Sequence, residues 1–278
     1  MSRLRIATAT TLALLAFAGN SLLCRLALKL TAIDAASFTC LRLASGAAML
    51  WIIVTIRQRA FSAQGNWLSA AALFVYAAGF SFAYTMLNTA TGALLLFGAV
   101  QATMIGYGVW TGERLRPAQA AGLALALGGL VALLLPNLQA PPWRASLLML
   151  AAGVAWACYS LRGRGSGDAT SVSAGNFLRA VPMALALGLS MRQGLTYDGA
   201  GIAYAMLSGA VTSGIGYAIW YTALPGLKAT TAASLQLSVP VLAALGGVLF
   251  LREVLTLQFI ASSFAILGGI ALVIWRTK

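Results

Sequence analysis

The 278-residue chain contains no histidine and only five acidic residues, Asp34, Glu113, Asp168, Asp198 and Glu253. Charged residues make up 8% of it, too few to clothe a soluble domain of this length. Without histidine the chain lacks the commonest general base and a principal zinc ligand. The acids stand at the ends of apolar runs or in loops, so no pair of carboxylates is placed for acid–base chemistry. An enzyme is therefore disfavoured, and no metal or other cofactor is expected. Cys24, Cys40 and Cys158 fall inside apolar runs at no paired spacing. They read as small buried hydrophobes and not as a disulfide frame. The 18 Lys and Arg give a net charge of +13, but they are scattered in ones and twos. Nucleic acid would require a basic face interleaved with aromatics, so it is not an expected partner.

What the chain has is apolar length: 60% hydrophobic residues and a mean hydropathy of +0.88. It reads as an integral protein of the lipid bilayer. A crossing helix needs about 20 apolar residues at 1.5 Å each. Ten such spans fit the chain, at about 6–27, 35–56, 66–87, 90–111, 118–136, 145–162, 172–191, 199–222, 229–250 and 256–275. The run from Ala60 to Gly112 holds no charge and is too long for one helix, so it divides near Asn88–Thr89. The N-terminus imitates a secretory signal, but its apolar run continues through Leu22 and Leu23, which predicts a retained first span. With the N-terminus placed in the cytoplasm, the inner loops carry eleven Lys and Arg and the outer loops four. That bias puts both termini inside.

The chain also repeats itself. A shift of 140 residues lays Thr91 on Thr231, Gly106 on Gly246, Glu113 on Glu253, and Gly128-Gly129 on Gly268-Gly269. A slightly different offset lays Arg42 on Arg179 and Phe17 on Trp156. Each copy holds five spans, an odd number, so the second must enter the membrane from the opposite side. The expected fold is all-α, ten transmembrane helices as two inverted five-helix repeats, residues 1–139 and 140–278. Ten helices with a complete inverted repeat can work as a monomer.

The stretch Ala218-Ile-Trp-Tyr-Thr-Ala-Leu-Pro-Gly-Leu-Lys-Ala-Thr, then Ser238-Val-Pro-Val-Leu-Ala-Ala-Leu and Arg252-Glu-Val-Leu-Thr, resembles the EamA-type domain of the drug/metabolite transporter superfamily. Ile266-Leu-Gly-Gly-Ile and the arginine in the second span of each copy fit as well. The first half departs from the pattern: Val100 stands where the repeat would place a counterpart to Pro240, and Ala18-Gly19-Asn20 matches only loosely. The resemblance implies a central cavity lined by spans 1, 3, 4, 6, 8 and 9, with the fifth and tenth at the periphery. It is strongest to bacterial exporters of aromatic amino acids and methyl viologen, which implies an inner-membrane location.

Candidate cavity residues follow. Tyr76, Phe80 and Tyr84 share one face of the third span, and Phe97 and Gln101 one face of the fourth. Trp156 and Tyr159 stand in the sixth, Tyr217 in the eighth, and Ser234, Gln236 and Ser238 in the ninth. Asn20 joins them through the resemblance. Aromatics near span ends, such as Tyr84, also suit an interfacial belt, and Ser and Gln also serve as interhelical hydrogen-bonders. A ring-bearing small molecule would find apolar faces and polar handles here. A cation pump commonly keeps a carboxylate inside the membrane, and none is evident. Arg42 and Arg179 lie about 10 Å inside their spans by helix rise. They read as structural or gating groups that snorkel or cap carbonyls, with capture of a substrate carboxylate as the alternative. Glu113 and Glu253 read as structural, the latter at a helix start, and Pro240 as a bend. The expected activity is export of a small zwitterionic or apolar metabolite, an aromatic amino acid first, by alternating access and without an evident proton carrier. Export of drugs, toxic cations or other metabolites is the alternative, and a membrane enzyme or accessory scaffold the alternative of another class.

Overall fold

The computed structural model describes residues 3–58, 64–87, 89–134, 142–163, 167–191, 194–251 and 257–275, and among them every regular element is helical. The first seven spans are α1 (Arg3–Leu30), α2 (Ala35–Gln58), α3 (Trp67–Tyr84), α4 (Thr89–Trp110), α5 (Pro117–Leu134), α6 (Trp143–Gly163) and α7 (Ala169–Ser190). The eighth is built of α8 (Gly199–Leu207), a π-helical segment (Ser208–Ile215) and α9 (Gly216–Ala223). The ninth is divided into α10 (Ala229–Gln236) and α11 (Ser238–Leu251), and the tenth is α12 (Leu257–Trp275). Among the described residues six helices are long and apolar enough to cross a membrane, and three shorter apolar ones run Leu95–Trp110, Thr231–Ala243 and Ile260–Val273.

The scarce polar residues account for where these helices begin. Asp34 accepts hydrogen bonds from the N–H groups of Ala36 and Ser37 at the start of α2. Asn66, Asp168 and Asp198 cap α3, α7 and α8 in the same way. Glu113 accepts from the N–H of Ala229 at 2.9 Å, at the start of α10. The first turn of a helix leaves donors unpaired, and a carboxylate there satisfies them and opposes the dipole. The four described acids are thus all spent at helix starts. Glu253 lies outside the described residues.

The bundle is apolar outward and mixed inward. Ile56, Leu189 and Phe264 are 74%, 72% and 76% exposed, as side chains facing lipid would be. Trp67, Trp110 and Trp143, at helix ends, are exposed too, where interfacial belts take tryptophan. α5 and α12 pack chiefly on each other at the periphery. Their approach is close: a Cβ on Gly122 would stand 2.7 Å from the Gly269 carbonyl oxygen. Of the two Gly-Gly pairs on these helices, only Gly129 and Gly269 meet a neighbour, while Gly128 and Gly268 face open space. The core gathers α1, α2, α3, α6, α7 and the π segment with α9.

Candidate functional site

At the centre lies Arg42. It is only 1% exposed, so the snorkelling that its depth in α2 suggested does not occur. Its guanidinium points inward. Nε donates to the Ser213 hydroxyl at 3.0 Å, and Nη2 donates to the hydroxyls of Tyr217 at 2.7 Å and Tyr76 at 3.3 Å. The carbon of the guanidinium lies 5.2 Å from the Tyr76 ring centre and 5.8 Å from that of Phe80, within cation–π range. Nη1 has no hydrogen-bond partner. The π segment puts Ser213 in place: a π turn holds an extra residue per turn, which alters the direction of side chains downstream. The same segment binds Asn20, whose side-chain oxygen accepts from Ser208 at 2.7 Å and Thr212 at 3.4 Å.

Around Arg42 the rings form a continuous cluster. Trp156 lies 4.7 Å from Tyr217, 5.0 Å from Tyr76 and 5.1 Å from Phe17, centre to centre. Phe80 connects Tyr76 to Tyr84, at 5.7 and 4.7 Å. Tyr159 stacks beside Trp156 and Tyr221, and the Tyr221 hydroxyl donates to the Tyr159 carbonyl at 2.6 Å. Trp156 donates through Nε1 to the Gln236 side chain at 2.6 Å, and Gln236 in turn reaches Met104. The structure therefore brings together Tyr76, Phe80, Tyr84, Trp156, Tyr159, Tyr217 and Gln236 of the sequence-predicted set. Gln101 is buried and donates to the Ala233 carbonyl, tying α4 to α10, with its own side-chain oxygen unpartnered. Phe97 is buried in the same core, and Ser238 turns to the Leu235 carbonyl within its own span. Ser234 is buried as well.

The second and seventh spans were outside the expected lining set, yet α2 supplies Arg42, and α7 supplies Phe177, 5.8 Å from Tyr217. Arg42 and Arg179, alike in sequence, do different things. Arg179 spends Nη1 on the carbonyls of Gln64 at 3.1 Å and Gly175 at 2.9 Å, a carbonyl-capping role. Sequence reasoning also missed Ser213, Phe17 and Asn176 as site residues. Phe17 had a signal, since the repeat lays it on Trp156, whereas a serine in an apolar run has none.

The two ends of the cluster differ. At the end where α3 begins, Arg162 donates to Ser69 at 3.1 Å and Asn66 at 3.2 Å, and the Asn66 N–H donates to Asn176 at 3.0 Å. Arg57 faces Asp168 at 3.7 Å. The Asp168 carboxyl lies below the usual carboxylate range: burial alone would raise it, but donation from the Ser171 hydroxyl and N–H, with Arg57 nearby, outweighs burial. At the opposite end a small recess is lined by Ser21, Cys24, Arg25, Leu28, Lys29 and Tyr84.

Comparison with known proteins bears on what this arrangement serves. The EamA-like transporter family matches residues 143–275. Uncharacterized protein PA1977 of Pseudomonas aeruginosa is 60% identical over 266 residues, covering 95% of this chain and 93% of that protein. A solved crystal structure of a protein, 21% identical, superposes with a TM-score of 0.85 over 100% of both chains. That last likeness speaks for the fold alone.

Proposed function

The chain belongs to the EamA-like transporter family, and on that premise we propose that it exports a small ring-bearing metabolite, an aromatic amino acid first, across the bacterial inner membrane. The observation that carries this reading is the ring cluster of Phe17, Tyr76, Trp156 and Tyr217, buried where α1, α3, α6 and α9 meet. Aromatic walls with phenol and indole handles suit a ligand that has one flat apolar part and a few polar groups. A toxic cation fits less well, because none of the four described acids stands inside the bundle.

The mechanism is alternating access between two inverted repeats, residues 1–139 and 140–278. Support comes from packing that keeps its pattern when each span is exchanged for the one five further on. α2 packs on α7 and α5 on α12; α3 on α6 answers to the eighth span on α1, and α4 on α6 to α11 on α1. With both termini in the cytoplasm, the Arg162–Asn66 and Asn66–Asn176 bonds close the inner end, and the recess beside Arg25 and Tyr84 faces outward. Substrate is the one partner required besides lipid.

Liposomes containing the purified protein and preloaded with Phe or Trp are expected to release them faster than equally loaded protein-free liposomes. Trp156→Ala and Tyr76→Ala are expected to slow that release. Indifference of the wild-type protein to every aromatic amino acid would sink the substrate assignment.

A further inference from the structure

We propose that Arg42 is the docking cation for a carboxylate of the transported molecule, which makes the substrate class an organic acid or zwitterion bound acid-end first. The proposal rests on the transporter reading above and sharpens it. A guanidinium has five N–H donors. Three are engaged: Nε with Ser213, and Nη2 with Tyr76 and Tyr217. The two on Nη1 have no partner in a side chain that is 1% exposed. The four described carboxylates are all at helix starts, so none of them neutralises this charge. A buried cation without a counter-charge is costly, and such groups in membrane proteins pair with something or mark a pathway.

The surroundings specify what the missing partner is. Tyr76 and Tyr217 accept hydrogen bonds from Nη2, and each has its own O–H as a donor. Arg42 and its two phenols therefore offer further donors and no charged acceptor, which suits an anion. A single negative charge balances the single guanidinium; a doubly charged phosphate would leave one charge uncompensated among rings. The planar guanidinium and the planar carboxylate also match in geometry. The rings of Tyr76 and Phe80 at the guanidinium place apolar surface next to the acid end, as a side chain on the α-carbon of an amino acid would need.

Binding to the full-length protein in detergent, followed by thermal stabilisation, tests this with L-phenylalanine (ring and carboxylate), L-phenylalaninamide (ring only) and L-leucine (carboxylate, no ring). Wild-type protein is expected to prefer phenylalanine over its amide by about tenfold or more, the range of a hydrogen bond to a charged group. In Arg42→Gln that preference falls to about fivefold or less, by the same reckoning for a neutral bond of about 1 kcal/mol. Arg42→Lys keeps the charge but not the fork, and retains a reduced preference. Equal binding of acid and amide by the wild type overturns the proposal and leaves the aromatic reading standing, with no variant needed. Leucine binding as well as phenylalanine, and better than the amide, removes the aromatic reading and upholds Arg42. A full preference in Arg42→Gln places the carboxylate elsewhere and overturns the proposal. No response to any of the three overturns both.

Discussion

Gly209 and Arg42 set how closely α2 and the π segment approach. A Cβ on Gly209 would run into the Arg42 carbonyl and the Ser45 hydroxyl, and one on neighbouring Gly46 would meet the Phe177 ring and the Gly209 carbonyl. Gly209→Ala forces the two elements apart where Ser213 holds the guanidinium. Overpacking of this kind costs about 1–3 kcal/mol, so the variant should melt several degrees lower in detergent and transport more slowly. Gly98→Ala, with nothing within 4 Å, is the control and should change neither. Equal melting of the two variants would remove the close approach as a cause. At this scale the sequence was least informative. Arg25, Arg42 and Arg179 are single arginines in apolar runs, and depth along a helix does not reveal direction around it. Only the fold puts Arg42 on Tyr76 and Tyr217, and Arg179 on the Gln64 and Gly175 carbonyls. The aromatics were more legible, because spacing by four puts Tyr76, Phe80 and Tyr84 on one face whatever surrounds them.

Helix positions were legible for a simple reason: about 20 apolar residues must fill about 30 Å of hydrocarbon. What happens inside a span was not. Pro240 predicted a bend; the structure puts the break at Leu237, between α10 and α11. Proline lacks the N–H that would bond to residue i−4, here Gln236, and its ring crowds that carbonyl. Gln236 is the residue that receives Trp156 at 2.6 Å. Pro240→Ala is expected to let the ninth span run on, draw Gln236 off Trp156 and slow transport more than it lowers the melting temperature; unchanged transport would separate the break from function. The π segment gave no sequence signal, since Ser-Gly-Ala-Val-Thr-Ser-Gly-Ile reads as an ordinary small-residue helix. Helix starts carry a pH dependence as well. Asp34 caps α2 and also accepts from the Thr196 N–H at 2.6 Å. Burial alone would raise its pKa, but bonds from Ser37, Thr196 and Ala36 outweigh burial and lower it. A lowered folded value gives stability that is present above the unfolded pKa of about 3.9 and is lost as pH falls through the folded one. The melting advantage of wild type over Asp34→Asn should therefore shrink as pH drops below about 4, and a constant gap would remove Asp34 as its source.

For the whole molecule, the energetics of transport turn on which charges cross with the substrate. The chain has no histidine, and the described acids are occupied as caps at helix starts, which leaves no evident proton carrier among the described residues. Arg42 is fixed to two rings and a serine and stays with the protein. On the proposed function, a zwitterionic amino acid would then cross with no net charge and follow its own gradient. In proteoliposomes, an imposed pH gradient should not concentrate phenylalanine, and a membrane potential should not bias its distribution. An aromatic monoanion such as phenylpropionate, if carried, behaves otherwise. One charge moved across 100 mV is worth about 2.3 kcal/mol, so it should accumulate about 50-fold on the positive side. Uphill phenylalanine movement driven by a pH gradient would mean that a proton crosses with it, and the search for its carrier would turn to Glu253, outside the described residues. Potential-independent movement of the monoanion would instead mean that a compensating charge travels too, which an Arg42 bound in place at Ser213, Tyr76 and Tyr217 cannot supply.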